Sequence, residues 1–192
     1  MTPTRRHFSL GILGLAVLPA ACASPTPVLY TLDVTPGAPR IGAPTRVLLQ
    51  DIAVAPYLDR KAIVRSSDGY HIAVAQNDWW GEPIGAMLGR ILSAELEQRL
   101  PGSTVYTEGG AVATQPQATV ALNLTRFDRA ADGQVVLVVQ AGITFTAQRR
   151  PAVTESLRFT VPTGGPGITD QVAAMSAAWG QLADRLAQAL AG

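Results

Sequence analysis

Apolar and polar residues alternate most regularly over 134–148. Val135, Leu137, Val139, Ala141, Ile143 and Phe145 fall on one side, and Gln134, Gln140, Thr144, Thr146 and Gln148 on the other. A period of two belongs to a strand with one buried and one wet face. Fifteen residues at about 3.3 Å each would reach about 50 Å, too far to run flat, so a bulge or bend is expected near Gly142. Shorter alternations mark strands at 119–127, through Val120, Leu122 and Leu124, and at 156–161, through Leu157, Phe159 and Val161. Asp132-Gly133 is a hairpin signal between two of them.

Earlier in the chain, 46–54 (RVLLQDIAV) reads as one buried strand ended by a turn at 55–60, and 103–107 as a short strand. Ile63-Val64-Arg65 and 70–75 flank Ser66-Ser67-Asp68-Gly69, again a hairpin. Helical spacing appears twice. Ile84, Met87, Leu88, Ile91, Leu92, Leu96 and Leu100 form one apolar stripe of a helix over 82–99. Pro83 suits its first turn, and Pro101-Gly102 stops it. Val172, Met175, Trp179, Leu182, Leu186 and Leu190 line a second helix, capped at Thr169 or Asp170. The expected architecture is α+β, a two-layer sandwich with both amphipathic helices on one face of a largely antiparallel sheet.

The N-terminus follows another pattern. Arg5-Arg6, then Phe8 and Leu10, open an apolar run that ends at Leu18-Pro19-Ala20-Ala21-Cys22. The paired arginines look like a twin-arginine address. The run of about 14 residues is shorter than the ~20 a bilayer-spanning helix needs, so 1–21 reads as a cleaved signal. Cys22 is the chain's single cysteine and stands where a bacterial lipoprotein carries its acyl group. Pro19 departs from the usual Leu, Val or Ile three places before that cysteine, while Ala20 and Ala21 fit. The rival is cleavage within Ala21-Cys22-Ala23 as an A-x-A site, which discards the cysteine and frees the protein into the periplasm. The lipoprotein reading is preferred, and Ala23 after the cysteine favours the outer membrane. Residues 22–45, with Pro25, Pro27, Pro36, Pro39 and Pro44, read as a lipidated extended tether. Within it Val28-Leu29-Tyr30-Thr31-Leu32 forms a first short strand at the sheet edge. Residues 46–192 form the single domain.

Removing Arg5 and Arg6 leaves 13 of the 15 basic residues against 14 acidic ones. A net charge near −1 offers no basic field for nucleic acid, and one cysteine allows no internal disulfide. Chemistry is sparse. His71 is the only histidine beyond the signal and reads as a half-exposed strand residue, with no second histidine to build a zinc site. Asp51, Asp59, Asp68 and Asp78 are scattered over strand ends and turns. There is no G-x-S-x-G elbow, and Gly164-Gly165-Pro166-Gly167 lacks the Lys-Ser/Thr of a phosphate loop. Asn123-Leu124-Thr125 matches a glycosylation sequon but lies within an expected strand. The domain therefore reads as non-enzymatic, with no cofactor and no metal. Trp79-Trp80, expected to open the first helix, are the candidate partner-binding residues, against the plainer reading that they pack under the sheet edge.

Four stretches together resemble the ABC-type transport auxiliary lipoproteins, a family that includes the paraquat-inducible protein C-like proteins. They are Ser24-Pro25…Tyr30-Thr31-Leu32, then Val47-Leu48-Leu49…Ala55-Pro56-Tyr57-Leu58-Asp59-Arg60-Lys61-Ala62-Ile63-Val64, then Asp78-Trp79-Trp80-Gly81-Glu82-Pro83, and Leu92…Leu96…Leu100-Pro101. The resemblance implies a periplasm-facing outer-membrane lipoprotein, held by Cys22. It implies an auxiliary or docking role in an ABC and MCE-type lipid transport system, whose partners are an MCE-domain periplasmic protein and its permease and ATPase. It carries over no catalytic residue. Two other readings compete. One is a lipid-binding shuttle, which needs a cavity between sheet and helices. The other is an envelope hydrolase, which needs Asp51, Asp59 and Asp78 gathered in one cleft.

Overall fold

The computed structural model describes residues 25–67, 69–110, 114–146 and 150–192. The signal at 1–21 and Cys22 lie outside the described residues, as do Asp68 and Gln148. The element order is β1 (Val28–Tyr30), β2 (Arg46–Leu49), β3 (Ala53–Val54), β4 (Ala62–Ser66), β5 (Ala73–Trp80), α1 (Ile84–Arg99), β6 (Thr104–Thr107), β7 (Ala118–Arg129), β8 (Gln134–Phe145), β9 (Val153–Pro162) and α2 (Ile168–Ala191).

The class is α+β, with the strands divided between two sheets. A six-stranded sheet runs β6-β2-β7-β8-β9, with β3 also on β7, and a three-stranded sheet runs β1-β5-β4. The long ladders β7–β8 and β8–β9 are antiparallel. The short N-terminal strands add in parallel, β2 on both β6 and β7, β3 on β7, and β1 on β5. Helix α2 lies over β7, β8 and β9, and α1 packs against α2 and β6. Every residue of the two expected helical stripes is buried. Trp179 is fully buried, its ring 5.8 Å from that of Phe127.

Several local expectations are corrected. The 46–54 strand breaks at Gln50, because β2 and β3 pair with β7 at separate registers, Leu49 opposite Val120 and Ala53 opposite Asn123. The bulge sits in β7 between Leu124 and Arg126 rather than near Gly142, where β8 keeps an unbroken ladder with β9. Strand β1 edges the small sheet, not the large one. Helix α1 begins at Ile84 with Pro83 as its N-cap, which places Trp79 and Trp80 at the end of β5 instead of on the helix. Helix α2 begins at Ile168 after Gly167, whose N–H donates to the Asp170 carboxylate at 3.1 Å. His71 is exposed in the turn before β5 rather than on a strand.

Part of the segment expected to run as an extended tether is docked across both helices. Leu32 is buried, and the Asp33 N–H donates to Ser176 Oγ at 3.0 Å. The Thr35 N–H donates to Glu95 Oε1 at 2.8 Å, and the Arg40 N–H to the Arg99 carbonyl at 2.7 Å. Arg99, wholly buried, donates from Nε to Asp184 at 2.6 Å and from Nη1 to the Thr35 carbonyl at 2.9 Å. A buried guanidinium needs such a full set of acceptors. Gly180 inside α2 allows this approach, since a Cβ there would meet Thr35 Cβ at 2.7 Å.

Candidate functional site

Strand β5 ends by placing Trp80 inside and Trp79 outside, as alternation requires. Trp80 is buried, and Trp79 is half-buried with its indole N–H directed at the Gln76 carbonyl, 3.3 Å away. The chain around them is tied by backbone bonds, Trp80 N–H to the Lys61 carbonyl at 2.7 Å and Gly81 N–H to the Tyr30 carbonyl at 2.9 Å. Pro83 then caps α1 and accepts the Met87 N–H at 3.0 Å. These ties bring separate parts of the sequence to one end of the small sheet. Between them lies a groove of about 430 Å³, whose walls include Leu29, Asp59, Arg60, Lys61, Trp79 and Glu82. Its apolar parts are Leu29 and the indole rings, and its rim is charged.

The turn that supplies Asp59 to Lys61 is anchored from below. Leu58 is buried, and the Tyr57 hydroxyl donates to Asp128 Oδ2 at 2.8 Å. Ser67 Oγ donates to the same oxygen at 2.6 Å, and Arg126 Nε to Oδ1 at 3.0 Å. Burial, and then the bond to the Asp128 carboxylate, push the Tyr57 hydroxyl up to about 12. This phenol is a fixed hydrogen-bond donor at neutral pH and no acid–base catalyst.

A second groove, about 650 Å³, lies where β2 and β3 part, between the ends of β2 and β6 and the Gly85–Gly89 side of α1. Asp51, Arg90 and Glu108 give it a polar rim. Glu82 forms an ion pair with Arg90, so one pair joins the walls of the two grooves.

The carboxylates weighed for hydrolysis are not brought together. Asp51 lines the larger groove, Asp59 the smaller, and Asp78 pairs with Val28 in the β1–β5 ladder. Among the described residues no group of three metal-ligating side chains exists. Burial raises the Glu95 carboxyl to about 7, but Glu95 is enclosed beneath the docked segment, away from either groove. Of the site residues read from the sequence, Trp79 reaches the groove directly and Trp80 supports it from the core, while Cys22 lies outside the described residues. Sequence reasoning missed Arg60, Lys61 and Glu82 as groove residues, although all three lie in stretches singled out for the family resemblance.

Residues 30–187 match the family described as the ABC-type transport auxiliary lipoprotein component. The chain belongs to that family. Among its relatives is the intermembrane transport lipoprotein PqiC of Escherichia coli (strain K12), 25% identical over 146 residues, which cover 73% of this chain and 72% of that protein. PqiC of Shigella flexneri matches to the same extent. The crystal structure of an uncharacterized protein superposes with a TM-score of 0.71 at 21% identity, over 86% of this chain and 99% of the other. A protein of Xanthomonas campestris gives 0.68 at 17% identity, over 86% and 95%. At these identities the two structures establish the auxiliary lipoprotein's fold alone. The groove unites residues from two of the stretches that carry the family resemblance with Leu29 of β1.

Proposed function

We propose that this auxiliary lipoprotein is held by an acylated Cys22 at the periplasmic face of the outer membrane. There it docks the MCE-domain protein of an ABC-type intermembrane lipid transport system, and catalyses nothing itself. The observation that carries the reading is the groove beside Trp79, where a half-buried indole and an apolar floor are ringed by Asp59, Arg60, Lys61 and Glu82. An aromatic anchor within a charged rim is a common composition for a protein-binding centre. The likeness to PqiC, named for intermembrane transport, supports the transport role. The dispersal of Asp51, Asp59 and Asp78 supports the absence of hydrolysis. More than one acyl chain, at ~0.8 kcal/mol per buried methylene, gives stable anchoring.

The test has two arms. Cys22→Ala should move the protein from the membrane to the soluble fraction. Trp79→Ala should leave it on the membrane but lose co-purification of the MCE-domain protein. Full recovery of the wild-type chain in the soluble periplasm, with no acyl mass, sinks the anchor. Undiminished capture by Trp79→Ala sinks the groove as the docking site.

A further inference from the structure

The small sheet has two ends. The docking groove occupies one of them, where Lys61, Trp79 and Trp80 meet. The turn joining β4 to β5 forms the other, since Ser66 pairs with Ala73. At that turn Tyr70 is fully exposed at 103% of its reference surface, and Ile72 is 49% exposed. Single exposed apolar residues are ordinary. What distinguishes these two is where the chain enters the domain.

Strand β1 runs parallel to β5, Val28 opposite Asp78 and Tyr30 opposite Trp80. The chain therefore enters β1 from the side of the β4–β5 turn and leaves it beside the groove. Five steps along β5 lead from Asp78 back to Ala73, about 17 Å at ~3.3 Å each. The six steps from Val28 back to Cys22 can span up to about 20 Å. Cys22 is thus within reach of the level of Tyr70 and Ile72, at the end of the sheet opposite the groove.

We infer that the turn at 69–72 is a membrane-contacting tip, which sets Tyr70 and Ile72 into the phospholipid interface beside the acylated Cys22 and points the docking groove away from the bilayer. The inference rests on the anchor reading given above. A tyrosine suits this position because its ring is apolar and its hydroxyl remains wet at headgroup level. Ile72 adds apolar area on the same turn, and a second contact beside the anchor restricts how the domain tilts. A domain fixed at one point swivels, whereas one fixed at two presents its far end in a defined direction.

Hydrogen exchange on the full chain, expressed with its own signal and recovered from membranes, tests this. Exchange at 69–75 is compared in detergent and in vesicles of phosphatidylethanolamine and phosphatidylglycerol. The tip should slow at least fivefold in vesicles, while 59–61 and 81–83 exchange alike in both. In Tyr70→Ser/Ile72→Ser, still anchored through Cys22, the slowing should disappear. Equal rates at the tip in vesicles and detergent, or slowing at the groove instead, would overturn the inference. Failure of the anchor reading has its own signature, a soluble chain without an acyl group. Vesicles added to that soluble chain then decide the matter: slowing at 69–75 supports the tip, and unchanged exchange overturns it.

Discussion

The guanidinium of Arg99 fills the space that a side chain at Gly37 would need: a Cβ on Gly37 would lie 2.2 Å from Nε and 2.3 Å from Cζ. Arg99 cannot withdraw, because Asp184 and the carbonyls of Thr35, Glu95 and Gly180 hold it in place. Gly37→Ala should therefore either lift the docked segment or break the buried cation's contacts. Overpacking and a broken buried pair each cost a few kcal/mol, and a loss of about 3 kcal/mol is expected. Urea unfolding checks it. Ala38→Ser, one residue on at an exposed position, should stay within about 0.5 kcal/mol of wild type. Equal midpoints for the two variants would refute the account.

Glu95 lies under the same segment, with Oε1 accepting the Thr35 N–H and Oε2 buried without a partner among the described residues. Burial raises its carboxyl from 4.5 to about 7, outweighing the Thr35 bond and the nearby Arg99 charge, with Asp184 adding to the rise. The folded state then keeps a proton that the unfolded chain has already released. Stability should fall as pH rises from about 4.5 to about 7, and change little from this group above that. A shift of that size corresponds to at most about 3 kcal/mol. Glu95→Gln keeps an acceptor for Thr35 and carries no charge, so it should flatten this slope and be at least as stable as wild type at pH 7.5. Unfolding curves between pH 4.5 and 8 measure both effects, and an unchanged slope in Glu95→Gln counts against the buried carboxyl as its source.

The parts of the fold written in local periodicity were legible. Val135 to Ile143 and the stripes Ile84–Leu100 and Val172–Leu190 lie where alternation and helical spacing put them, because each side chain's face depends only on its neighbours in sequence. The misread parts depend on partners far along the chain. Trp79 and Trp80 precede Gly-Glu-Pro and so resembled a helix start, but pairing with Leu29, Tyr30 and Ala62 makes them strand. Glu95 and Arg99 are spaced as an exposed helical pair and are buried where 33–40 and α2 meet α1. Gly180 in the middle of an apolar helix was the available sign of that close approach. The groove was half visible, since Trp79 was read as a partner-binding residue while 59–61 was read as a turn and not as its charged rim.

The Tyr57–Asp128 bond anchors from below the turn that carries Asp59 to Lys61 into the groove. Tyr57→Phe leaves Asp128, a wholly buried carboxylate, with Ser67 and Arg126. Weakening a buried carboxylate's hydrogen bonding costs about 1–3 kcal/mol. The wild type should also lose stability as pH rises from about 10 towards 12, because the folded phenol resists ionisation longer than the unfolded one. Tyr57→Phe should lack that alkaline loss, which distinguishes the bond from simple packing. Denaturation at pH 7 and pH 11 gives both numbers.

The paired tryptophans should separate stability from partner binding. Trp80 is only 6% exposed and belongs to the main core cluster, so Trp80→Ala should cost about 3–5 kcal/mol and lower the amount of protein in the cell. Trp79 faces the groove, where it makes one 3.3 Å bond within its own strand. On the proposed docking function, Trp79→Ala should shift stability by under about 1 kcal/mol, leave the protein on the membrane, and cut capture of an MCE-domain protein at least tenfold. Arg60→Glu/Lys61→Glu, which reverses one side of the rim, should weaken capture while leaving the fold intact. Its effect should diminish as salt rises, because exposed charges are screened beyond about 10 Å at 0.1 M. Loss of capture by Trp80→Ala alone, with Trp79→Ala binding normally, would move the partner's contact away from this groove.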